Sequence, residues 1–208
     1  LKTRFLAESL FIRAHYFYHL VQQFGDIPMP LKPTNSVETT AHKTKVDEVW
    51  NQIVTDLEFA VENLPETYQA SEFGHITKYA AMHHLSRVYL TLKRSDDDLK
   101  KAEQVINSGK YSLVKSHAEL WDINNKNNSE VLFSVLYTQN AELNGDGNTA
   151  HMYFCSAYSE EHPAVKRVIE YGRPWSRERS SDFAISLFDK TKDQRWDDCF
   201  ISRWNVTE

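Results

Sequence analysis

The sequence has few of the residues that build disulfide or metal-bound frameworks. Its two cysteines, Cys155 and Cys199, are far apart and form no CxxC pair. This spacing predicts neither a zinc site nor a disulfide framework. Lys and Arg number 24 against 29 Asp and Glu, which gives a net charge of −5 and argues against a nucleic-acid-binding surface.

Long apolar runs and the common catalytic motifs are also missing. No run approaches the roughly 20 apolar residues that cross a bilayer. The sequence contains no GxSxG, Walker or GxGxxG motif, which gives no support to a serine hydrolase or a nucleotide-binding enzyme. The first residues also lack the parts of a signal peptide, and Leu1 already lies in a predicted helix. We therefore expect a fragment, or a mature chain whose beginning is missing.

Apolar residues dominate the first predicted helix, over residues 1–24. They form one stripe that we expect to be buried: Leu6, Leu10, Ala14, Phe17, Val21 and Phe24. The helix is followed by "GDIPMP", in which Gly25 can adopt a positive φ and the two prolines favour extended backbone. This composition predicts a buried helix with a stiff exit.

Three further helices are predicted before residue 111. The second follows a capping-box pattern formed by Thr44 and Asp47. The third covers about 77–93, and the fourth covers about 95–109. Two consecutive helical pairs fit the tetratricopeptide pattern loosely. The sequence therefore predicts a mainly α fold with tetratricopeptide-like paired helices as a scaffold over 1–111.

The remaining portion, 112–208, is predicted to be irregular and to face a ligand. "EVLFSVLY" is rich in β-formers and predicts a strand near 130–137. A short helix is predicted near 182–190. Residues 138–181 show no strong period, and a loop of this length usually has a function or a partner. We thus expect a small β element and long irregular loops beside the helices.

Two histidines and two pairs of acidic residues are further candidates for a metal site or a catalytic site. His15 and His19 stand four residues apart, as a metal pair would, but no HExxH pattern is present and their aromatic neighbours favour partly buried histidines. The acid pairs available to a glycosidase are Glu160 with Glu161 and Asp197 with Asp198. Acids on loops are usually solvated surface. The sequence therefore predicts no catalytic residue, no metal ligand and no cofactor.

Aromatic and polar residues in the long loop are the stronger candidates for a binding site. A sugar presents an apolar ring face, which aromatic rings cover, and a rim of hydroxyls, which polar side chains bind. We predict that Trp175, Tyr158 and Tyr153 stack on sugar rings. Arg173 and Asn148 would then hydrogen-bond the hydroxyls. The alternative, that these rings pack onto the helices, stays open at this point.

Six segments together resemble the SusD/RagB family of bacterial outer-membrane lipoproteins. They have the family's order and spacing: "RFLAESLFIRAHYFYHLVQQFGDIP", "TDLEFAVENLP", "TKYAAMHHLSRVYLTL", "AEQVINSGKYSL", "NNSEVLFSV" and "LFDKTKDQR". One departure is at Gly74, which is followed by His75 where the family usually carries Gly-Arg. The resemblance covers almost the whole sequence and implies one SusD-like domain that is incomplete at both ends.

The resemblance implies a helical scaffold that stands beside a SusC-type TonB-dependent transporter, with loops that capture glycans or peptides. We therefore predict a non-catalytic, cell-surface oligosaccharide-binding protein of a Bacteroidetes-type outer membrane. Its lipid anchor would lie outside this sequence. The alternatives are a helical-repeat protein-interaction scaffold, a peptide-binding member of the same family, and a glycosidase.

Overall fold

The computed structural model describes residues 1–37, 39–138, 140, 142, 147–155 and 175–200, without the side chain of His151. The α-helices in these residues are α1 (Lys2–Phe24), α2 (Val46–Asn63), α3 (Lys78–Thr91), α4 (Ser95–Asn107), α5 (His117–Trp121), α6 (Ala150–Phe154), α7 (Asp182–Ser186) and α8 (Arg195–Cys199). A short 3-10 helix spans Ala70–Glu72. The predicted mainly α class is confirmed. No helix in the described ranges is long and apolar enough to cross a membrane.

The chain divides into two compact units. The first, which we call the helical unit, comprises 1–113 and 127–135; the second, the C-terminal unit, comprises 114–126 and 136–208. The helical unit contains α1 to α4. The division into a helical scaffold over 1–111 and an irregular portion over 112–208 stays a prediction.

The helical unit is built from consecutive helices that pack on one another. α1 packs on α2, α2 on α3, and α3 on α4. The largest apolar side chains with almost no exposed surface come from α1, α2 and α3: Phe11, Val49, Ile53, Leu57, Leu85 and Val88. Small residues at Ala80 and Ala81 of α3 are buried as well, which permits close helix approach. The paired-helix scaffold follows from these contacts.

One face of α1, rather than most of its surface, is buried. The buried residues are Ala7, Phe11, Ala14, Phe17, Tyr18 and Val21. The predicted stripe is therefore wrong at its two ends, because Leu6 is 50% exposed and Phe24 is 66% exposed. The apolar residues of α1 lie almost all round the helix, and the described helices that pack on it cover a single side.

The exit from α1 is fixed by hydrogen bonds to the start of α2. Asp26 accepts a hydrogen bond from the backbone N–H of Val46 through Oδ1 at 3.0 Å, and its Oδ2 accepts one from Lys45 Nζ at 2.9 Å. The N-cap residue of α2, Lys45, makes no side-chain capping bond. The predicted capping box of Thr44 and Asp47 is therefore wrong, because a carboxylate 20 residues before Val46 satisfies the helix end instead.

Ile27 ties the same exit to the core. Its side chain is buried, and its carbonyl accepts a hydrogen bond from Thr44 N–H at 2.8 Å in an isolated β-bridge. Gly25 makes the turn that brings Asp26 and Ile27 into place, with φ 66° and ψ −119°. The residues that follow α1 are therefore hydrogen-bonded to those at the start of α2, which brings the two ends of the α1–α2 connection together.

Gly25→Ala is expected to lower the free energy of unfolding by about 1–2 kcal/mol, because an L-residue is strained at this backbone conformation. A Cβ at this position would meet no atom within 4 Å, so the loss would report backbone strain rather than a clash. Denaturant unfolding measures it. Gln23→Ala, an exposed change in the last turn of α1, serves as the control and should stay within about 0.5 kcal/mol. An equal, small effect of both changes would contradict the strain argument.

No strand forms over 130–137, so that prediction is wrong. Two apolar side chains of this segment pack on the helical unit: the Phe133 ring lies 5.3 Å from that of Phe11, and Leu132 packs against the helical core. Val135, Leu136 and Tyr137 are more than half exposed. The short helix predicted near 182–190 is confirmed as α7, which ends at Ser186. Ser181 caps it by accepting a hydrogen bond from Ala184 N–H at 3.2 Å.

Candidate ligand-binding site

Two of the three predicted stacking rings lie in contact in the C-terminal unit. The rings of Tyr153, on α6, and Trp175 have centroids 5.1 Å apart and planes at 83°, which is an edge-to-face pair. Both side chains are half-buried. Tyr158 and Arg173 lie outside the described residues.

Backbone hydrogen bonds hold Trp175 and the following residues against α6. The N–H of Trp175 donates to the carbonyl of Met152 at 2.9 Å, and the N–H groups of Arg177 and Glu178 both donate to the carbonyl of Tyr153 at 3.0 Å. These donors satisfy carbonyls at the end of a short helix. The ring pair is therefore positioned by main-chain bonds as well as by ring contact.

An arginine covers the ring pair. The guanidinium carbon of Arg177 lies 5.0 Å from the Trp175 centroid and 5.4 Å from the Tyr153 centroid, within cation–π range. Both Arg173 and Arg177 occur in "YGRPWSR", and the sequence offers no means of choosing between them. The structure brings Arg177 to the rings, which adds it to the candidate residues that the sequence predicted.

A shallow cavity of about 340 Å³ opens beside Tyr153 and is lined by Asn148, Tyr137, Phe154 and Glu178. Tyr137 is 53% exposed and Phe154 is 67% exposed, so flat apolar surface faces solvent here. The Asn148 side-chain oxygen accepts a hydrogen bond from Ala150 N–H at 3.0 Å, which leaves the amide NH₂ for a ligand oxygen. The cavity thus combines exposed aromatic rings with an amide and a carboxylate.

The described groups of the C-terminal unit with potential catalytic chemistry include Cys155, Asp197 and Asp198. Burial raises the pKa of the Cys155 thiol, which therefore stays protonated near neutral pH and is a poor nucleophile. The acids Asp197 and Asp198 are adjacent on α8, and neighbouring residues of a helix do not face each other. Glu160 and Glu161 lie outside the described residues.

A histidine cluster lies elsewhere, where α1 meets α3. The ring of His15 lies 4.7 Å from that of His19 and 5.3 Å from that of His84. His84 is buried and its Nε2 has no hydrogen-bond partner. Burial, with His15 and Arg87 nearby, lowers the pKa of His84 to about 3, so this imidazole is neutral near pH 7. In the described part of the chain, no group of three or more His, Cys, Asp or Glu side chains could hold a metal ion.

Sequence comparison places the helical unit in a known family. A family model described as "Starch-binding associating with outer membrane" matches residues 2–90. SusD-like protein P2 of Formosa agariphila is 30% identical over 176 residues, which is 82% of this chain and 33% of that protein. SusD-like protein P25 of the same organism is 28% identical over 131 residues.

Solved structures agree with the sequence comparison. A SusD-like protein of Bacteroides fragilis superposes with a TM-score of 0.61 at 32% identity, covering 67% of this chain and 28% of the other. A laminarin-binding SusD-like protein gives a TM-score of 0.62 at 30% identity, covering 70% and 33%. The chain belongs to the SusD-like family. It spans about a quarter to a third of the length of the relatives from Formosa agariphila.

The matched family segment contains α1, α2 and most of α3. Tyr153, Trp175 and Arg177 lie beyond it. The ligand-binding residues are therefore an inference from the structure and chemistry of this chain, and the family model does not supply them.

Proposed function

We propose that the protein is a non-catalytic, cell-surface glycan-binding protein that captures oligosaccharides and delivers them to a SusC-type TonB-dependent transporter. Its membership of a family described as starch-binding and associated with the outer membrane supports this function, as does its likeness to a laminarin-binding structure. The observation that carries the proposal within this chain is the exposed aromatic surface of Phe154 and Tyr137 beside the half-buried pair of Tyr153 and Trp175. An outer-membrane location is part of the same proposal.

Binding would use the two kinds of surface that a sugar ring offers. The rings of Trp175 and Tyr153, with the exposed Phe154 nearby, would cover the apolar faces of successive sugar rings. Arg177 and Asn148 would donate hydrogen bonds to hydroxyls, and Glu178 would accept them. Because Arg177 and Glu178 carry opposite charges, the site favours an uncharged polyol over an acidic or basic ligand. Tyr158 and Arg173 remain proposed members of the same site.

The site holds a ligand without transforming it. The described residues near Trp175 offer neither a pair of facing carboxylates nor an activated nucleophile, which are the groups that glycosidases require. Release of an intact oligosaccharide would suit a protein that hands its ligand to a transporter. Incubation with starch and laminarin should therefore release no new reducing ends.

Trp175→Ala is expected to weaken oligosaccharide binding about tenfold, because stacked aromatic anchors carry much of the binding energy at such sites. Isothermal titration calorimetry with maltoheptaose and laminariheptaose measures the change. Trp121→Ala removes an indole that is 73% exposed on α5 and whose ring contacts His117, so it serves as the matched control and should leave affinity unchanged. An unchanged affinity of Trp175→Ala, with helical circular dichroism intact, would remove Trp175 from the site.

A protein-interaction role is the second candidate, and the outer face of α1 favours it. Phe5, Ile12, Tyr16 and Leu20 are 48%, 46%, 64% and 40% exposed and lie on one side of the helix. A docked protein would bury this face. Co-purification of a TonB-dependent barrel supports the transporter partnership. Recovery of a barrel together with no binding to any oligosaccharide would favour a scaffold, whereas binding of peptides alone would favour a peptide-capturing family member.

A further inference from the structure

We propose that the helical unit carries a second carbohydrate subsite, distinct from the surface around Trp175. It is a cavity of about 550 Å³ between the connection from α2 to α3 and the segment 127–134. The volume lies within the range of about 300–1,000 Å³ that is typical of small-molecule sites. The inference rests on the proposed function, because the ligand class is taken to be the same. We call this cavity the helical-unit cavity.

Aromatic rings form one wall of the helical-unit cavity. The rings of Tyr68 and His75 are stacked, with centroids 5.2 Å apart and planes at 26°. Phe73, between them in sequence, is 46% exposed although it lines the cavity. Tyr111 also lines it, and its hydroxyl lies 3.2 Å from the Thr77 hydroxyl. Flat apolar surface beside hydroxyl groups matches the ring face and rim of a sugar.

The aromatic wall is held rigid by residues of α1. Glu8 accepts a hydrogen bond from the Tyr68 hydroxyl at 2.9 Å, and its two carboxylate oxygens lie 3.1 and 3.0 Å from His75 Nδ1. Arg4 stacks over the Tyr68 ring at 5.4 Å and pairs with Glu72 at 2.9 Å. A wall fixed before the ligand arrives loses little conformational entropy on binding, which favours affinity.

Polar side chains of the segment 127–134 also line the cavity, together with the apolar Val131, Leu132 and Phe133 of the same segment. Asn127 is exposed, whereas Asn128 is buried and its Oδ1 accepts a hydrogen bond from Glu130 N–H at 3.1 Å. Ser129 is anchored in both directions, since its carbonyl accepts a hydrogen bond from Ser112 N–H at 3.0 Å and its hydroxyl donates to the Ser112 carbonyl at 2.9 Å. Side-chain amides both donate and accept, as sugar hydroxyls do. The aromatic wall and this segment together offer an apolar face and hydrogen-bonding groups.

The charge balance of the cavity points to a neutral ligand. The Glu72 carboxylate that lines it is paired with Arg4 at 2.9 Å, and the Glu8 carboxylate lies 3.7 Å from the same guanidinium. The other charged lining residues are Glu66 and Lys110, one of each sign. A neutral hexose unit meets no uncompensated charge there, whereas an acidic or basic ligand gains no net attraction.

Phe73→Ala tests the subsite. Calorimetric titration of the 208-residue chain with maltoheptaose and with laminariheptaose is expected to show two sites per chain for the sugar that binds. Phe73→Ala should weaken one of them about tenfold, and Asn127→Ala, an exposed change in the segment 127–134, should weaken the same site severalfold. Phe24→Ala, which removes a 66% exposed ring outside the cavity, is the matched control and should change neither site.

The results separate this inference from the proposed function. If Trp175→Ala abolishes all binding while Phe73→Ala and Asn127→Ala keep the stoichiometry and affinity of the unaltered chain, the second subsite is overturned and the proposed function stands. If Phe73→Ala removes one site and Trp175→Ala removes the other, both stand. If Phe73→Ala removes binding and Trp175→Ala has no effect, the subsite stands and the surface around Trp175 loses its role.

Discussion

Arg13→Met is expected to lower the free energy of unfolding by about 3–5 kcal/mol, because it leaves a buried carboxylate without its partner charge. Asp56 is 2% exposed in the core between α1 and α2. Arg13 binds it with two hydrogen bonds, Nε to Oδ2 at 2.7 Å and Nη2 to Oδ1 at 2.6 Å. The remaining bond, from Gln52 at 2.8 Å, cannot neutralise the charge. Methionine keeps the apolar stem of arginine, so the loss would report the charge.

Denaturant unfolding at pH 7 measures this loss. A double variant tests whether the unpaired buried charge causes it. Arg13→Met combined with Asp56→Leu should recover more than half of the lost stability, since removing both partners leaves no buried charge. Arg94→Met, which breaks the more exposed pair of Arg94 and Asp97, is the control and should cost a small fraction as much. A loss below about 1 kcal/mol in Arg13→Met would show that the buried pair contributes little.

Acidification from pH 7.5 to 5 is expected to cost about 2 kcal/mol of unfolding free energy through His84 alone. Burial lowers the pKa of His84 from 6.5 to about 3 in the folded protein. Its contribution to stability is therefore complete above pH 6.5 and is lost as the pH falls from 6.5 towards 3, since the unfolded chain binds the proton first. His15, whose pKa is also lowered by burial, changes stability in the same direction.

The titratable and charged groups near His84 all lower its pKa. They come from α1 and from its own helix α3, and they are His15, His19, His83 and Arg87. His84→Phe keeps a ring next to Phe11 and Tyr18 while removing the titrating group. Between pH 7.5 and 5, the unfolding free energy of this variant should therefore fall by about 2 kcal/mol less than that of the unaltered chain. His42→Gln, an exposed change in the connection between α1 and α2, should keep the pH slope. An unchanged slope in His84→Phe would contradict the assignment.

The capping of a helix can be predicted from the sequence when the capping group lies next to the helix in the chain. Thr77 caps α3 by accepting a hydrogen bond from Ala80 N–H at 3.1 Å, a contact within one turn. The start of α2 looked like the same case because Thr44 and Asp47 fit the local pattern. Asp26 makes the bond instead, and a contact across 20 residues leaves no local signature.

Periodicity identified α1 as a helix but could not select its buried face. Apolar residues surround the helix, so Leu6 and Phe24 fitted a stripe as well as Phe11 or Tyr18 did, and only the helices packed on α1 decide which side is covered. The strand expected over 130–137 failed for a related reason. β-forming residues predict extended backbone, but a strand also needs a neighbouring chain, and Phe133 packs on a helix instead.

The aromatic residues of the candidate site could be predicted from composition, whereas their contacts with one another could not. A loop with many rings and no helical period indicated Tyr153 and Trp175, and the structure brings these two into contact. The choice of Arg177 depends on main-chain bonds to the end of α6. The helical-unit cavity could not be predicted from the sequence, because Glu8, which holds the stacked rings of Tyr68 and His75, lies at least 60 residues earlier in the chain.

We propose that this chain captures an oligosaccharide and leaves it intact. The decisive measurement is calorimetric titration of the 208-residue chain with maltoheptaose and laminariheptaose, followed by a reducing-end assay of the same samples. We expect saturable binding of at least one of the two sugars, with no new reducing ends. A chain that keeps its helical circular dichroism yet binds neither sugar, or that shortens the one it binds, would contradict it.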